Sequence, residues 1–151
     1  MSEPNPNPNT GGDRYDVATY TPHPKSVPAL RRRVAERVTT WGHPEVAGDA
    51  ALLASELSTN ALLHGSLRDR LFRVELFLTR NTLRVAVTDP KGEHPPSPRQ
   101  PGRDDQFGRG LLIVGTLAAR WNVESLAVGK TVWAELDLPS AAARTVDLRT
   151  P

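Results

Sequence analysis

The chain has no cysteine among its 151 residues. That absence excludes disulfides, thiolate nucleophiles and cysteine zinc sites. Its 4 histidines, His23, His43, His64 and His94, show no H-E-x-x-H spacing, so the sequence offers no helix-borne histidine metal site. Aromatic residues make up 5%, too few to interleave with basic residues as a stacking platform for single-stranded nucleic acid. Charge of one sign is also missing: 19 basic residues face 17 acidic ones, a net +2, which argues against a direct nucleic-acid partner. The run Arg31, Arg32, Arg33 is a local concentration, and such runs are usually solvated helix faces. No apolar run approaches the ~18–20 residues of a membrane span. No charged-then-apolar signal opens the chain. The expectation is a soluble, cytoplasmic protein without a membrane segment.

What is present fits a single domain with tails. Hydrophobic content of 38% with 24% charged residues supports a globular core. Residues 1–12 include PNPNPN, which can build neither a helix nor a core and reads as a disordered tail. Residues 13–139 read as the domain, and residues 140–151, after Pro139, as a loose tail.

Within the domain, Tyr15 to Tyr20 alternates enough for a short strand. Ser26 is suited to cap a helix running to about Trp41, with Leu30, Val34, Val38 and Trp41 as its apolar stripe. A second, longer helix follows Pro44 and includes DAALLASELSTNALLHG, from Asp49 to Gly65. Glu56, Asn60 and His64, spaced four apart, fall on or beside the stripe of Leu53, Leu57 and Ala61. A buried carboxylate costs on the order of several kcal/mol unless something pairs with it. Either this face lines a polar cleft for a ligand or metal ion, or Glu56 is simply a partly exposed helix residue.

Leu71 to Thr79 and Thr82 to Asp89 alternate around a turn at Arg80 and Asn81, predicting a hairpin with one buried face. Asp89 keeps the phase of Leu83, Val85 and Val87, so it belongs on the core side at the strand's end. Asp89-Pro90 also suits the start of a turn, and the two roles are compatible. Residues 90–107 hold five prolines and two glycines and read either as a lid or as a plain insertion. Gly108-Arg109-Gly110 then opens a helical pattern, where backbone amides favour an anion. Trp121 to Ala127 and Thr131 to Leu138 form the last two strands, joined by Val128, Gly129 and Lys130.

The order strand, helix, helix, hairpin, lid, helix, hairpin carries Glu56-x-x-x-Asn60-x-x-x-His64, Asp89 and Gly108-x-Gly110 on successive elements. Over roughly residues 15–139 this resembles the Bergerat-fold ATPases, the superfamily of gyrase, Hsp90, histidine kinases and MutL. Within it, ELSTNALLHG, GRGLLIVGTLAARW and GKTVWAELDL look most like the short, stand-alone anti-sigma factor serine/threonine kinases of actinobacteria. The resemblance implies an α/β (α+β) two-layer sandwich, a mixed and mostly antiparallel sheet covered on one face by about three helices. It implies ATP and Mg2+ as cofactors. Glu56 would be the general base and Asn60 the magnesium ligand, Asp89 would accept from the adenine amino group, and Gly108, Arg109 and Gly110, with Leu111 beside them, would meet the phosphates. His64, Gly92 and Thr131 are further nucleotide-binding candidates, and Lys130 reads as a turn residue. The resemblance also implies a STAS-type anti-sigma factor antagonist as substrate, a sigma factor as second partner, and a homodimer. One departure stands out: the usual Asp-x-Gly-x-Gly is here Asp89-Pro90-Lys91-Gly92-Glu93. The alternative is a regulatory module that holds ATP without transferring phosphate, or needs no nucleotide at all.

Overall fold

The computed structural model describes residues 12–64, 70–89, 112–126 and 129–139. In chain order the elements are β1 (Arg14–Tyr20), α1 (Ser26–Thr40), α2 (Pro44–His64), β2 (Phe72–Leu78), β3 (Thr82–Asp89), a helical segment at 112–117, β4 (Arg120–Leu126) and β5 (Gly129–Asp137). The strands lie in the order β1-β2-β3-β5-β4, and each adjacent pair is antiparallel. α2 packs against α1 on one side and against β3 and β5 on the other. This is the two-layer α/β arrangement expected from the sequence, with helices over one face of a five-stranded sheet.

Alternation sets the faces. Phe72, Val74, Leu76 and Leu78 of β2 are buried, as are Leu83, Val85 and Val87 of β3 and Val132, Ala134 and Leu136 of β5. The register matches them across strands: Val87 opposes Val132, Val85 opposes Ala134, and Leu83 opposes Leu136. These side chains form one core with Leu30, Val34 and Val38 of α1, Leu53 and Leu57 of α2, and Val114 of the helical segment. Each large aliphatic side chain buried this way contributes about 1.5–3 kcal/mol.

The ends of α1 show local chemistry. Ser26 does not cap it. The chain turns tightly through Pro22–Pro24, and the amides of Ser26 and Val27 donate to the carbonyls of His23 and Pro24 at 2.9 and 3.1 Å. The Ser26 hydroxyl instead donates to the Thr21 carbonyl at 2.8 Å, tying the helix start to the end of β1. At the other end Gly42, at φ +96°, lets the chain leave the helix: the Gly42 amide donates to Thr39 and the His43 amide to Val38, both at 3.0 Å. The arginine run divides. Arg31 and Arg32 are exposed, whereas Arg33 grips Asp16 of β1 through two bonds of 2.8 and 2.9 Å, with Arg37 adding a third at 3.2 Å. The hydrogen bond to Asp16 also pushes the Arg33 guanidinium pKa up.

The face of the sheet away from the helices is polar and ionic. Arg84 of β3 stacks over the Trp133 ring at 4.0 Å and donates to Glu135 at 2.9 Å. Arg120 of β4 donates to Glu135 at 2.8 Å and also to Asp137. Burial pushes the Glu135 carboxyl up, but the bonds from Arg120 and Arg84 outweigh it and leave the pKa below the usual carboxylate range. At the β1–β2 side, Tyr15 donates to Glu75 at 2.6 Å. Burial first, and that bond second, push its pKa up to about 12.

Two consequences are testable. Ser58 is fully buried in α2, and its hydroxyl has no hydrogen-bond partner among the described residues. An orphaned buried hydroxyl costs about 1–3 kcal/mol, so Ser58→Ala should raise the urea midpoint, by about 1 kcal/mol of stability. Glu135, with its folded pKa depressed, stabilises the fold above its unfolded pKa and loses that contribution as pH falls through the folded value. Glu135→Gln should therefore be less stable than wild type at pH 7, with the gap closing once pH drops below about 4. Urea unfolding of both proteins across that range would check it.

Candidate functional site

The site begins with the burial of α2. Lying between α1 and the sheet, this helix hides Ala50, Leu53, Ala54, Leu57 and Ala61 and also the polar Ser55, Ser58 and Asn60. Its exposed side is a narrow stripe. Gly48 and Asp49 are exposed there, and Leu52, Glu56 and Thr59 are half-buried. Glu56 thus stands at the border between core and solvent, and Asn60, one turn on, is 4% exposed. A carboxylate at such a border remains reachable from solvent, which suits a base better than full burial would.

Asn60 is the more unusual residue. Its Nδ2 is buried and has no acceptor among the described residues. The amide therefore has unmet hydrogen-bonding capacity, and turned about its last torsion it presents a carbonyl oxygen at the same place. Mg2+ takes hard oxygen ligands, characteristically one or two from protein with the rest from water and phosphate. The Asn60 carbonyl fits that demand as a single protein ligand, with Glu56 one turn before it left for a base. Among the described residues no cluster of three or more His, Cys, Asp or Glu side chains could hold a metal unaided.

Asp89 lies on the helix-covered side of the sheet. It is 4% exposed at the end of β3 and keeps the phase of Val87, which faces the helices. α2 packs against β3, and Ala61, beside Asn60, lies in the same buried core as Val87. The carboxylate is an acceptor aimed into the helix-facing layer, as its alternation phase predicts.

The register separates the two residues that open β5. Thr131 opposes Thr88, and their hydroxyls share a hydrogen bond of 2.8 Å on the outer face of the sheet. That face is opposite to the one bearing Asp89. Lys130 opposes Asp89 and shares its face. Lys130 is not a turn residue but the second residue of β5, paired on both sides, with Gly129 before it at φ +122°. Sequence reasoning passed over it, although the alternation of Val132, Ala134 and Leu136 carries the signal.

His64 closes α2, and its side chain is not among those described. Gly92, Gly108, Arg109, Gly110 and Leu111, and the segment 90–107, lie outside the described residues. A depression of about 270 Å³ among Phe77, Thr79, Thr82, Arg84 and Glu135 lies on the outer face. Its charged groups, Arg84 and Glu135, already bond to each other. No helix among the described residues is long and apolar enough to cross a membrane.

Comparison with known proteins agrees with this geometry. The structure of the RsbU and RsbW domains of Rv1364c from Mycobacterium tuberculosis is similar to it, with a TM-score of 0.60 and 19% sequence identity. The match covers 83% of this chain and 34% of that one, so the chain spans about a third of its neighbour's length. At that identity the likeness concerns the fold. No curated protein matches the sequence. The sequence profile of the histidine kinase-like ATPase domain matches residues 20–136, from the end of β1 through nearly all of β5, and the chain belongs to that family.

Proposed function

We propose that this chain is an ATP-binding, anti-sigma-factor-like regulator that acts as a protein serine/threonine kinase. Its substrate would be a STAS-type anti-sigma factor antagonist, and a sigma factor its second partner. The observation that carries this reading is Asn60: a buried amide with unmet capacity, one turn after a half-open carboxylate, in a domain of the histidine kinase-like ATPase family. The RsbW domain in the similar structure lends its printed name to the anti-sigma assignment.

Phosphoryl transfer depends on positioning, charge neutralisation and an oriented nucleophile. Glu56 accepts the proton of the attacking seryl or threonyl hydroxyl. The hydroxyl oxygen forms the new bond to the γ-phosphorus, the bond to the β–γ bridging oxygen breaks, and ADP leaves. Asn60 would hold a magnesium ion, whose charge would neutralise the phosphates. Asp89 accepts a hydrogen bond from the adenine amino group. Arg109, with Gly108 and Gly110, meets the phosphates. The protein is expected to work as a homodimer in the cytoplasm.

A second reading has one observation in its favour. The sequence after Asp89 is Pro90-Lys91-Gly92-Glu93 rather than x-Gly-x-Gly. A module that binds ATP, or a protein partner alone, without transferring phosphate fits that altered segment.

Calorimetric titration of ATP with and without magnesium, beside a phosphotransfer assay, separates the readings. Asp89→Asn should weaken ATP binding by about 10–100-fold, the cost of replacing a charged acceptor. Glu56→Ala should bind ATP within about threefold of wild type while transfer falls by about 10²–10⁴. Wild-type binding without any transfer to a STAS-type protein would select the second reading. Full transfer by Glu56→Ala would remove the base assignment.

A further inference from the structure

β5 lies between two strands, and its second residue has a partner on each. Lys130 opposes Asp89 of β3 and Ser125 of β4. It keeps the phase of Val132 and Ala134, so its side chain leaves the sheet on the helix-covered face, next to that of Asp89. Directly opposed residues have Cβ atoms about 4.5–5.5 Å apart. Lys130 is half-buried, and its ammonium has no hydrogen-bond or ion-pair partner among the described residues. Among the described residues nothing engages its N–H donors, which stand beside the Asp89 carboxylate.

We propose that Lys130 is a specificity-determining residue that reads the base together with Asp89. Asp89 accepts from the exocyclic amino group of adenine, and Lys130 donates to the adjacent ring nitrogen N1. This rests on the nucleotide reading above and adds to it the group that selects the base. A carboxylate only accepts and an ammonium only donates. Adenine offers a donor at N6 beside an acceptor at N1, so both contacts are satisfied. Guanine in the same pose sets its O6 acceptor against the carboxylate and its N1–H donor against the ammonium. Both contacts then fail, and a site built from such groups rejects the mismatched ligand strongly. Thr131 cannot take this part, because its hydroxyl is engaged with Thr88 on the other face.

The test pairs a change in the protein with a change in the ligand. ATP, its 1-deaza analogue (a C–H in place of N1) and GTP are titrated calorimetrically, with magnesium, into wild type, Lys130→Met and Lys130→Arg. Wild type should bind 1-deaza-ATP about tenfold or more less tightly than ATP, as expected for losing a bond to a charged donor. Lys130→Met should lose a similar factor for ATP and no longer distinguish ATP from its analogue, while Lys130→Arg keeps the distinction. GTP should bind wild type more weakly than ATP. Equal wild-type affinity for ATP and 1-deaza-ATP, or full discrimination retained by Lys130→Met, would overturn the role of Lys130 and leave the nucleotide site standing. No binding of ATP by wild type would overturn both. The wild-type comparison of the two ligands decides the matter even where a variant fails to fold.

Discussion

The burial of α2 is the constraint on which the rest depends. A helix held between a second helix and a sheet has little solvent-facing surface, and this one presents only a stripe that passes through Leu52, Glu56 and Thr59. Alanine and leucine fill most of the hidden positions, as close packing demands. Ser58 and Asn60 do not fit that pattern. Each places a polar atom where no described partner meets it. Native proteins hold few such atoms, and each calls for a cause. For Asn60 the proposed nucleotide reading supplies one, since a ligand between helix and sheet would complete its bonding. For Ser58, set on another side of the helix, the structure supplies no such use.

The sheet divides labour between its faces. The outer face is self-sufficient: Arg84, Arg120, Glu135, Asp137 and Trp133 satisfy one another through ion pairs and a stacked ring. The inner face is apolar until its end, where Asp89 and Lys130 share a rung. Charges on the outer face are compensated within the fold. On the inner face the only cross-strand charge pairing among the described residues is the rung itself, where Lys130 stands opposite the Asp89 carboxylate. A one-residue shift in register would exchange the two sets and destroy both.

Much of this was legible in the sequence, for physical reasons. The period-two patterns of β2, β3 and β5 predict which residues are buried, and Asp89 follows from the same count. The α1 stripe of Leu30, Val34 and Val38 is likewise fixed by spacing. Other features depend on atoms far from the residue concerned. Whether Ser26 caps a helix depended on carbonyls supplied by a turn containing two prolines. Arg33 left the solvated face because Asp16, seventeen residues earlier, stands within reach. The border position of Glu56 depended on how α1 and the sheet wrap the helix, which a wheel of 100° steps does not convey. Thr131 and Lys130 are different: strand phase alone separates them onto opposite faces, while Gly129 beside the lysine mimics a turn.

The strand order has a consequence in time. β5 is the last strand in sequence, yet it lies inside the sheet, between β3 and β4. β1, α1, α2, β2 and β3 can associate while the chain is still being made, with Glu56 and Asn60 already on their helix. The rung that joins Asp89 to Lys130 forms only when the final strand inserts beside β3. A ribosome-bound chain lacking β5 would expose the long edge of β3, with Leu83, Val85 and Val87 uncovered by their partners. The Asp89–Lys130 rung is therefore completed only once β5 joins the sheet, and the half-made domain, with the β3 edge uncovered, is the state most in need of protection from aggregation.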